Sequence, residues 1–119
     1  MGLFEAALFA LVLTKSDQPF WCRTTASSNY VCSNGLVVLP IGPSELDFSN
    51  GVKVKKGDKG SLVFSNGLKS WIDITGAAQF GNGVGLTREE EGRQYRVSNG
   101  LVCRLINDEL VRCFRPKAH

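Results

Sequence analysis

Short apolar runs alternate with polar turns along most of this chain, and the turns carry a recurring triplet. Ser-Asn-Gly, replaced once by Gly-Asn-Gly, begins at residues 33, 49, 65, 81 and 98, so successive triplets are 16, 16, 16 and 17 residues apart. An apolar residue stands immediately before and after each triplet. Self-similarity at one period indicates a repeated supersecondary unit. The turn residues that this repeat predicts are Asn34, Gly35, Asn50, Gly51, Asn66, Gly67, Asn82, Gly83, Asn99 and Gly100.

The chemistry of the triplet favours a three-residue hairpin loop. Glycine in the last loop position supplies a positive φ without a Cβ clash, and asparagine is well tolerated before it. With the whole triplet as the loop, Phe64 lies opposite Leu68 and shares a side of the sheet with Ser70 and Ile72. A two-residue Asn-Gly loop would turn each phenylalanine to the other side. The three-residue loop is therefore predicted, because it keeps the apolar residues together.

The repeat predicts an all-β fold, an antiparallel meander of short β-hairpins with a period of about 16 residues. Such a meander can form a barrel, a sandwich or a stack of hairpins. The alternative is a β-solenoid with one coil per repeat, in which the asparagines of the triplets would stack as a ladder. The meander is favoured because the last position of every triplet is a loop-forming glycine.

The chain divides into an apolar N-terminal segment (residues 1–18), a single β-repeat domain (19–115) and a C-terminal tail (116–119). The longest apolar stretch, residues 1–13, is shorter than the roughly 20 residues of a membrane-spanning helix. It fits two interpretations. One is a signal-like segment, although Glu5 and the lack of Lys or Arg are atypical of one. The other is a docking helix whose apolar face carries Leu3, Phe4, Ala7, Leu8 and Leu11.

Composition supports a folded, single-domain protein. The 119 residues are 43% hydrophobic and 21% charged, which is enough apolar material for a core and too little charge for a disordered chain. The net charge of +3 is well below that of a dedicated nucleic-acid binder, so we expect no nucleic-acid partner. The one histidine, His119, is at the end of the chain. This position argues against a His-dependent catalytic triad and against a His-rich metal site.

The four cysteines, Cys22, Cys32, Cys103 and Cys113, form two pairs with the same ten-residue spacing and no C-x-x-C motif. Disulfides are therefore favoured over zinc or thiol redox chemistry, and an oxidising location follows: secreted, periplasmic or cell surface. A three-residue loop at 107–109 would place Cys103 across from Cys113, so we pair Cys103 with Cys113 and Cys22 with Cys32. The rival connectivity, Cys22–Cys113 with Cys32–Cys103, would tie the chain ends together. Four reduced thiols in a cytosolic protein are the remaining alternative.

Candidate chemistry is sparse. The carboxylates at 89–91 and 108–109 fall in predicted loops, and no nucleophile–base, phosphate-loop or calcium-loop motif is present. We therefore expect no catalytic residue, no cofactor and no metal ligand. The candidate binding residues are Trp71, an aromatic on the polar side of its predicted strand, and Lys69 beside it. The basic cluster formed by Lys53, Lys55, Lys56 and Lys59 adds Lys53 and Lys55 to this set.

These features predict a non-enzymatic, exported β-repeat binding module that recognises a glycan or a protein at the cell envelope. The alternative is a structural subunit of a larger assembly, docked through its apolar N-terminus. In that case residues 1–13 would contact a partner chain or a membrane, and the protein would be an oligomer.

Overall fold

The computed structural model describes residues 1–58 and 61–116, so Lys59, His119 and most of the predicted tail lie outside the described residues. Within them the chain forms one α-helix, α1 (Leu3–Thr14), twelve β-strands, and a 3₁₀ turn at Glu90–Gly92. The strands are β1 (Phe20–Thr24), β2 (Tyr30–Cys32), β3 (Val37–Ile41), β4 (Glu45–Phe48), β5 (Lys53–Lys56), β6 (Leu62–Phe64), β7 (Ser70–Ile72), β8 (Ala78–Phe80), β9 (Gly85–Glu89), β10 (Gln94–Val97), β11 (Val102–Asn107) and β12 (Leu110–Phe114).

All twelve strands form one antiparallel, nearly closed, barrel-like sheet in the order β6-β5-β4-β3-β2-β1-β12-β11-β10-β9-β8-β7. Strands that follow each other in sequence are neighbours, with one exception. β6 and β7 are the two edges of the sheet, whereas the first and last strands, β1 and β12, pair with each other. The predicted all-β hairpin meander is confirmed. The solenoid alternative is wrong, because adjacent strands run in opposite directions through hairpins.

Helix α1 lies inside the curved sheet. Its residues 6–12 are all buried, and seven consecutive residues cover the whole circumference of a helix with 3.6 residues per turn. Leu3, Ala7, Leu8 and Leu11 of the predicted apolar face are buried, and so are Phe9 and Val12 outside that face. No side of the central turns faces solvent, because the helix packs against strands from both halves of the sheet. An apolar helix without amphipathic character is the form expected for an enclosed core element.

Both ends of α1 are held by hydrogen bonds. At the N-terminal end the Glu5 carboxylate accepts the Gly2 N–H at 2.9 Å, which gives this acidic residue a capping role. At the C-terminal end Lys15 adopts the left-handed conformation, and the Ser16 N–H bonds back to the Leu11 carbonyl. The Asn82 side chain of a triplet donates to the Val12 carbonyl at 2.8 Å. The helix end is therefore capped by a turn of the surrounding sheet.

The triplets form the predicted three-residue loops. In the second one, the Phe48 N–H bonds to the Val52 carbonyl and the Gly51 N–H to the Phe48 carbonyl, both at 2.9 Å. The triplet glycines have φ between 82° and 99°, as the last loop position requires. Each triplet asparagine accepts the backbone N–H two residues later. Each triplet serine accepts a backbone N–H from the neighbouring hairpin, for example Ser49 Oγ from Val37 at 2.9 Å.

The cysteines form the two local disulfides, Cys22–Cys32 and Cys103–Cys113, and each pair lies directly across two adjacent strands. The predicted three-residue loop at 107–109 was wrong. Asn107 pairs with Leu110, and a bulge between Leu105 and Asn107 restores the register that brings Cys103 opposite Cys113. The terminal hairpins pair with each other, so the backbone joins the chain ends without the rival disulfides.

Candidate binding site at an open seam

The sheet is interrupted at one place, the gap between β6 and β7, which we call the seam. In the other four triplet hairpins the residue before the triplet donates its N–H to the carbonyl of the residue after it, at 2.8–2.9 Å. Within the described residues, the corresponding bond from Phe64 to Leu68 is not formed. The loop itself is still closed by two bonds, from the Gly67 N–H to the Phe64 carbonyl and from the Leu68 N–H to the Asn66 side chain, both at 3.0 Å. β6 and β7 are therefore connected by a closed loop but diverge beyond it without pairing.

The backbone of both strands presents hydrogen-bonding groups to the seam. In β6, Val63 pairs with Lys55 of β5, so the alternating residues Leu62 and Phe64 direct their peptide groups the other way. Immediately before β7, the Lys69 carbonyl accepts the Gly81 N–H from the next hairpin. The peptide groups of Ser70 and Ile72 therefore face the opposite way, toward the seam. These are the unpaired N–H and C=O groups of two sheet edges.

A cleft of about 460 Å³ occupies the seam. Leu62 lines one side together with the polar residues Asp58 and Ser61, Ser70 and Ile72 line the other, and Ala78 and Phe80 line its apolar base. The base is held by edge-to-face aromatic contacts. The ring centroid of Phe64 is 6.0 Å from that of Phe80 and 5.7 Å from that of Phe9 in α1. The packing of Phe64 in β6 against Phe80 in β8 therefore holds the two sides of the seam together, although no ladder joins β6 to β7.

The surface around the seam is unusually apolar. Val63, Trp71 and Ile72 are 55%, 52% and 68% exposed, and Ile74 is fully exposed. Among the large hydrophobic residues that the structure describes, these four have the greatest exposure, and all lie on β6, on β7 or in the turn after β7. A cluster of exposed apolar side chains is typical of an interaction surface.

The turn after β7 is fixed by Asp73. Its carboxylate accepts hydrogen bonds from the Thr75 hydroxyl at 2.6 Å and from the Gln79 amide at 2.9 Å, as well as from the backbone N–H groups of Thr75 and Ala77. The Thr75 hydroxyl and the Gln79 amide are the main causes that lower the pKa of Asp73 to about 2. The ionised carboxylate thus orders the loop that presents Ile74.

The structure separates the four predicted binding residues. Trp71 lines the mouth of the cleft, and Lys69 is exposed immediately before the same strand. Lys53 and Lys55 lie on the outer face of β5, one strand away from the seam. Lys55 forms an ion pair with Glu45 at 3.3 Å, and Lys53 lies 4.0 Å from Asp47.

Glu45 and Asp47 are adjacent on the outer face of β4, and they influence each other. Burial and a hydrogen bond with Glu45 raise the pKa of Asp47, whereas the Asp47 side chain and Lys55 lower the pKa of Glu45. These lysines therefore have local carboxylate partners, and Trp71 with Lys69 is the part of the predicted set that adjoins the cleft.

The sequence analysis missed Val63, Ile72 and Ile74. Two of these residues could have been found from the sequence, because Val63 is an apolar residue at an outward strand position and Ile74 is an apolar residue in a predicted turn. Ile72 was placed correctly on the inner side, but its exposure depends on the open seam. Among the residues that the structure describes, no cluster of three or more metal-ligating side chains occurs, and no helix reaches the length and apolarity needed to cross a membrane.

Comparisons with protein-family models, with curated proteins and with solved structures each found no match to this chain.

Proposed function

We propose that this chain is a non-enzymatic binding module that recognises an extended segment of a partner protein at the seam. The observation that carries this proposal is the pair of unpaired sheet edges flanking an apolar cleft. An extended peptide is the natural complement of such an edge, because its own N–H and C=O groups continue the ladder. Trp71 would pack against outward-facing side chains of the peptide, and the cleft between Leu62 and Ile72 would receive inward-facing ones.

Two lysines flank the seam and narrow the chemistry of the partner, although the carboxylate of Asp58 also lines the cleft. Lys56, directly across from Leu62, is exposed at the open end, and Lys69 is exposed near the loop end. Neither lysine forms an ion pair with any residue that the structure describes. A partner segment that alternates apolar and acidic residues would satisfy both the cleft and these two charges.

The two disulfides are compatible with an oxidising location, and this supports an exported module that is secreted, periplasmic or at the cell surface. Attachment to an assembly or a membrane through residues 1–13 receives less support. The apolar side chains at 6–12 are enclosed by the chain's own sheet and have no surface to offer.

The test uses a synthetic peptide with blocked ends that alternates Glu and Val, and isothermal titration calorimetry. Two control peptides separate the contributions: one has Lys in place of Glu, and one carries N-methyl groups on alternate residues to block edge hydrogen bonds. We expect the Glu-Val peptide to bind and the N-methylated peptide to lose at least about tenfold in affinity.

Trp71→Ala is the test variant and Trp21→Ala the matched control, because these are the two tryptophans of the chain. We expect Trp71→Ala to weaken peptide binding by about tenfold or more, as for an aromatic interface residue, and Trp21→Ala to leave it unchanged. Absence of binding, equal binding of the N-methylated peptide, or equal loss in both variants would overturn the proposal.

A further inference from the structure

A second surface lies where the chain ends meet, on the outer face of β1 and β12. Trp21 is 36% exposed there, and the guanidinium carbon of Arg23 is 5.6 Å from the centroid of its ring. Arg112 is the direct cross-strand partner of Trp21, and Leu110 is that of Arg23. These four residues surround a shallow depression of about 290 Å³. We call Trp21, Arg23 and Arg112 the arginine–tryptophan patch.

The positive charge of this patch is not balanced locally. Arg112 lies directly across from Arg104 on β11, and like charges in this arrangement destabilise a sheet. Arg104 is compensated by an ion pair with Glu90 and by a hydrogen bond to Gln94 at 3.0 Å. Within the described residues, neither Arg23 nor Arg112 forms an ion pair. Two uncompensated guanidinium groups therefore flank an exposed indole.

The patch is also rigid. Cys22 lies between Trp21 and Arg23 in sequence and points to the inner face, where it is linked to Cys32; Cys113 follows Arg112 and is linked to Cys103. The two strands that carry the patch are central in the sheet, and each is paired on both sides. The backbone that carries these three side chains is therefore fixed before a ligand arrives, which lowers the entropic cost of binding.

We propose that the arginine–tryptophan patch binds an acidic glycan. The apolar face of one sugar ring would stack on Trp21, and sulfate or carboxylate groups on either side would accept hydrogen bonds from Arg23 and Arg112. Guanidinium groups suit these anions because they donate in a planar fork. The surface is a shallow depression with one aromatic ring, which fits a single ring of a sugar chain. This site is independent of the seam, which lies at the opposite ends of the strand order.

The experiment uses Trp71→Phe, which leaves Trp21 as the sole tryptophan and its emission as the reporter. Four probes are titrated: a heparin hexasaccharide for sulfate, a hyaluronan hexasaccharide for carboxylate, maltohexaose as the neutral sugar, and inorganic polyphosphate as charge without sugar. We expect a saturable change in Trp21 emission with at least one acidic hexasaccharide, and binding at least about tenfold weaker with maltohexaose and polyphosphate.

Arg112→Gln and Arg23→Gln are made in the same background. Each should weaken binding of the acidic hexasaccharide by about tenfold, because each removes the charge-assisted hydrogen bonds of one guanidinium group. Lys53→Gln removes the same charge from β5 and should change affinity by less than about twofold. Arg112→Lys keeps the charge but loses the fork, and should fall between these results. The proposal would be overturned in favour of non-specific charge attraction if polyphosphate bound as strongly as the acidic hexasaccharide. It would also be overturned if Lys53→Gln weakened binding as much as Arg112→Gln. Absence of any emission change would also overturn it. Seam binding, measured with the Glu-Val peptide, should be unaffected by Arg112→Gln.

Discussion

The junction of β1 with β12 and the seam between β6 and β7 are opposite cases of two strands meeting. At the junction, strands from the two ends of the chain form four cross-strand pairs, from Phe20 with Cys113 to Arg23 with Leu110. At the seam, two strands joined by a short loop form no ladder. Proximity in sequence therefore did not secure pairing, and distance did not prevent it. We infer that the residues that face each other at the two places account for these outcomes.

One inward position distinguishes the repeat at the seam from the other four. The third residue after each triplet points inward, and in four repeats it is a buried apolar residue or cystine: Val38, Val54, Leu86 or Cys103. In the repeat at the seam this residue is Ser70. Closing β7 onto β6 would bury a hydroxyl where the other hairpins bury apolar surface, and this reduces the driving force for closure.

A second difference weakens the same strand. Elsewhere the triplet serine binds the backbone N–H of the neighbouring hairpin, but the triplet after β8 begins with Gly81. Its backbone still bonds to the Lys69 carbonyl at 2.8 Å, and the side-chain bond is missing. β7 is therefore attached to its one neighbour less strongly than other strands are.

The largest expected effect tests whether aromatic packing holds the seam. Phe64→Ala should lower the free energy of unfolding by about 3–5 kcal/mol, because it removes a buried ring that contacts Phe9 and Phe80. Phe48→Ala is the matched control, equally buried at the same repeat position but on a strand paired on both sides. Denaturant unfolding should give similar losses for both. Native-state hydrogen exchange should accelerate in β7 and β8 only for Phe64→Ala. Acceleration there in both variants would mean that β7 and β8 respond to a general loss of stability and that the packing of Phe64 does not specifically hold the seam.

An intermediate effect is expected at the disulfide between β11 and β12, beside the junction. Replacing Cys103 and Cys113 together by Ala should lower the free energy of unfolding by about 2–3 kcal/mol, the value of a closed loop of this length. The seam provides the counterpart, Leu62→Cys with Ser70→Cys, at positions that would face each other in a closed hairpin. We expect these two thiols to stay reduced while the native disulfides are oxidised, because the open seam holds them apart. A disulfide between the two introduced thiols, found by peptide mapping, would show that the seam closes in solution.

The smallest effects are expected from repairing the seam. Ser70→Val restores the inward apolar residue, and Gly81→Ser restores the missing side-chain acceptor for the Lys69 N–H. Each should raise the free energy of unfolding by about 0.5–1 kcal/mol. A Cβ at Gly81 would meet backbone no closer than 3.6 Å, so serine fits there. Gly83→Ser, at φ 94°, is the control, and it should instead cost about 1 kcal/mol. Unchanged stability in both repaired variants would remove Ser70 and Gly81 as causes of the opening.

Local features of the fold were predictable from particular residues. The glycines of the triplets specified three-residue loops, and these loops set which residues of each strand point inward, as with Phe48 and Val54. The matched spacing of Cys22 with Cys32 and of Cys103 with Cys113 gave the correct disulfides. One local prediction failed at 107–109, where the chain forms a shorter loop with a bulge before it. Both arrangements bring Cys103 opposite Cys113, so the cysteine spacing could not distinguish between them.

The candidate site was predictable only in part. Trp71 was singled out as an outward aromatic, and it adjoins the seam. Lys53 and Lys55 were grouped with it because a linear sequence shows clustered charge without showing the carboxylates of the neighbouring strand. The arginine–tryptophan patch could not be assembled at all, since Trp21 and Arg112 are brought together by the pairing of the two chain ends.

The sequence by itself determined the triplet turns, the register of the strands that they join and the favoured disulfide pairing, because each depends on residues within about one repeat of each other. It left the apolar N-terminal segment open between a signal-like segment and a helix. Only the tertiary structure decided that the sheet wraps around α1, that β1 meets β12, and that the gap falls at β6 and β7. These outcomes depend on the relative energies of alternative contacts between residues that are distant in sequence. A helix with apolar residues on every side must be enclosed, and the strand with Ser70 in an inward position is where that enclosure remains open.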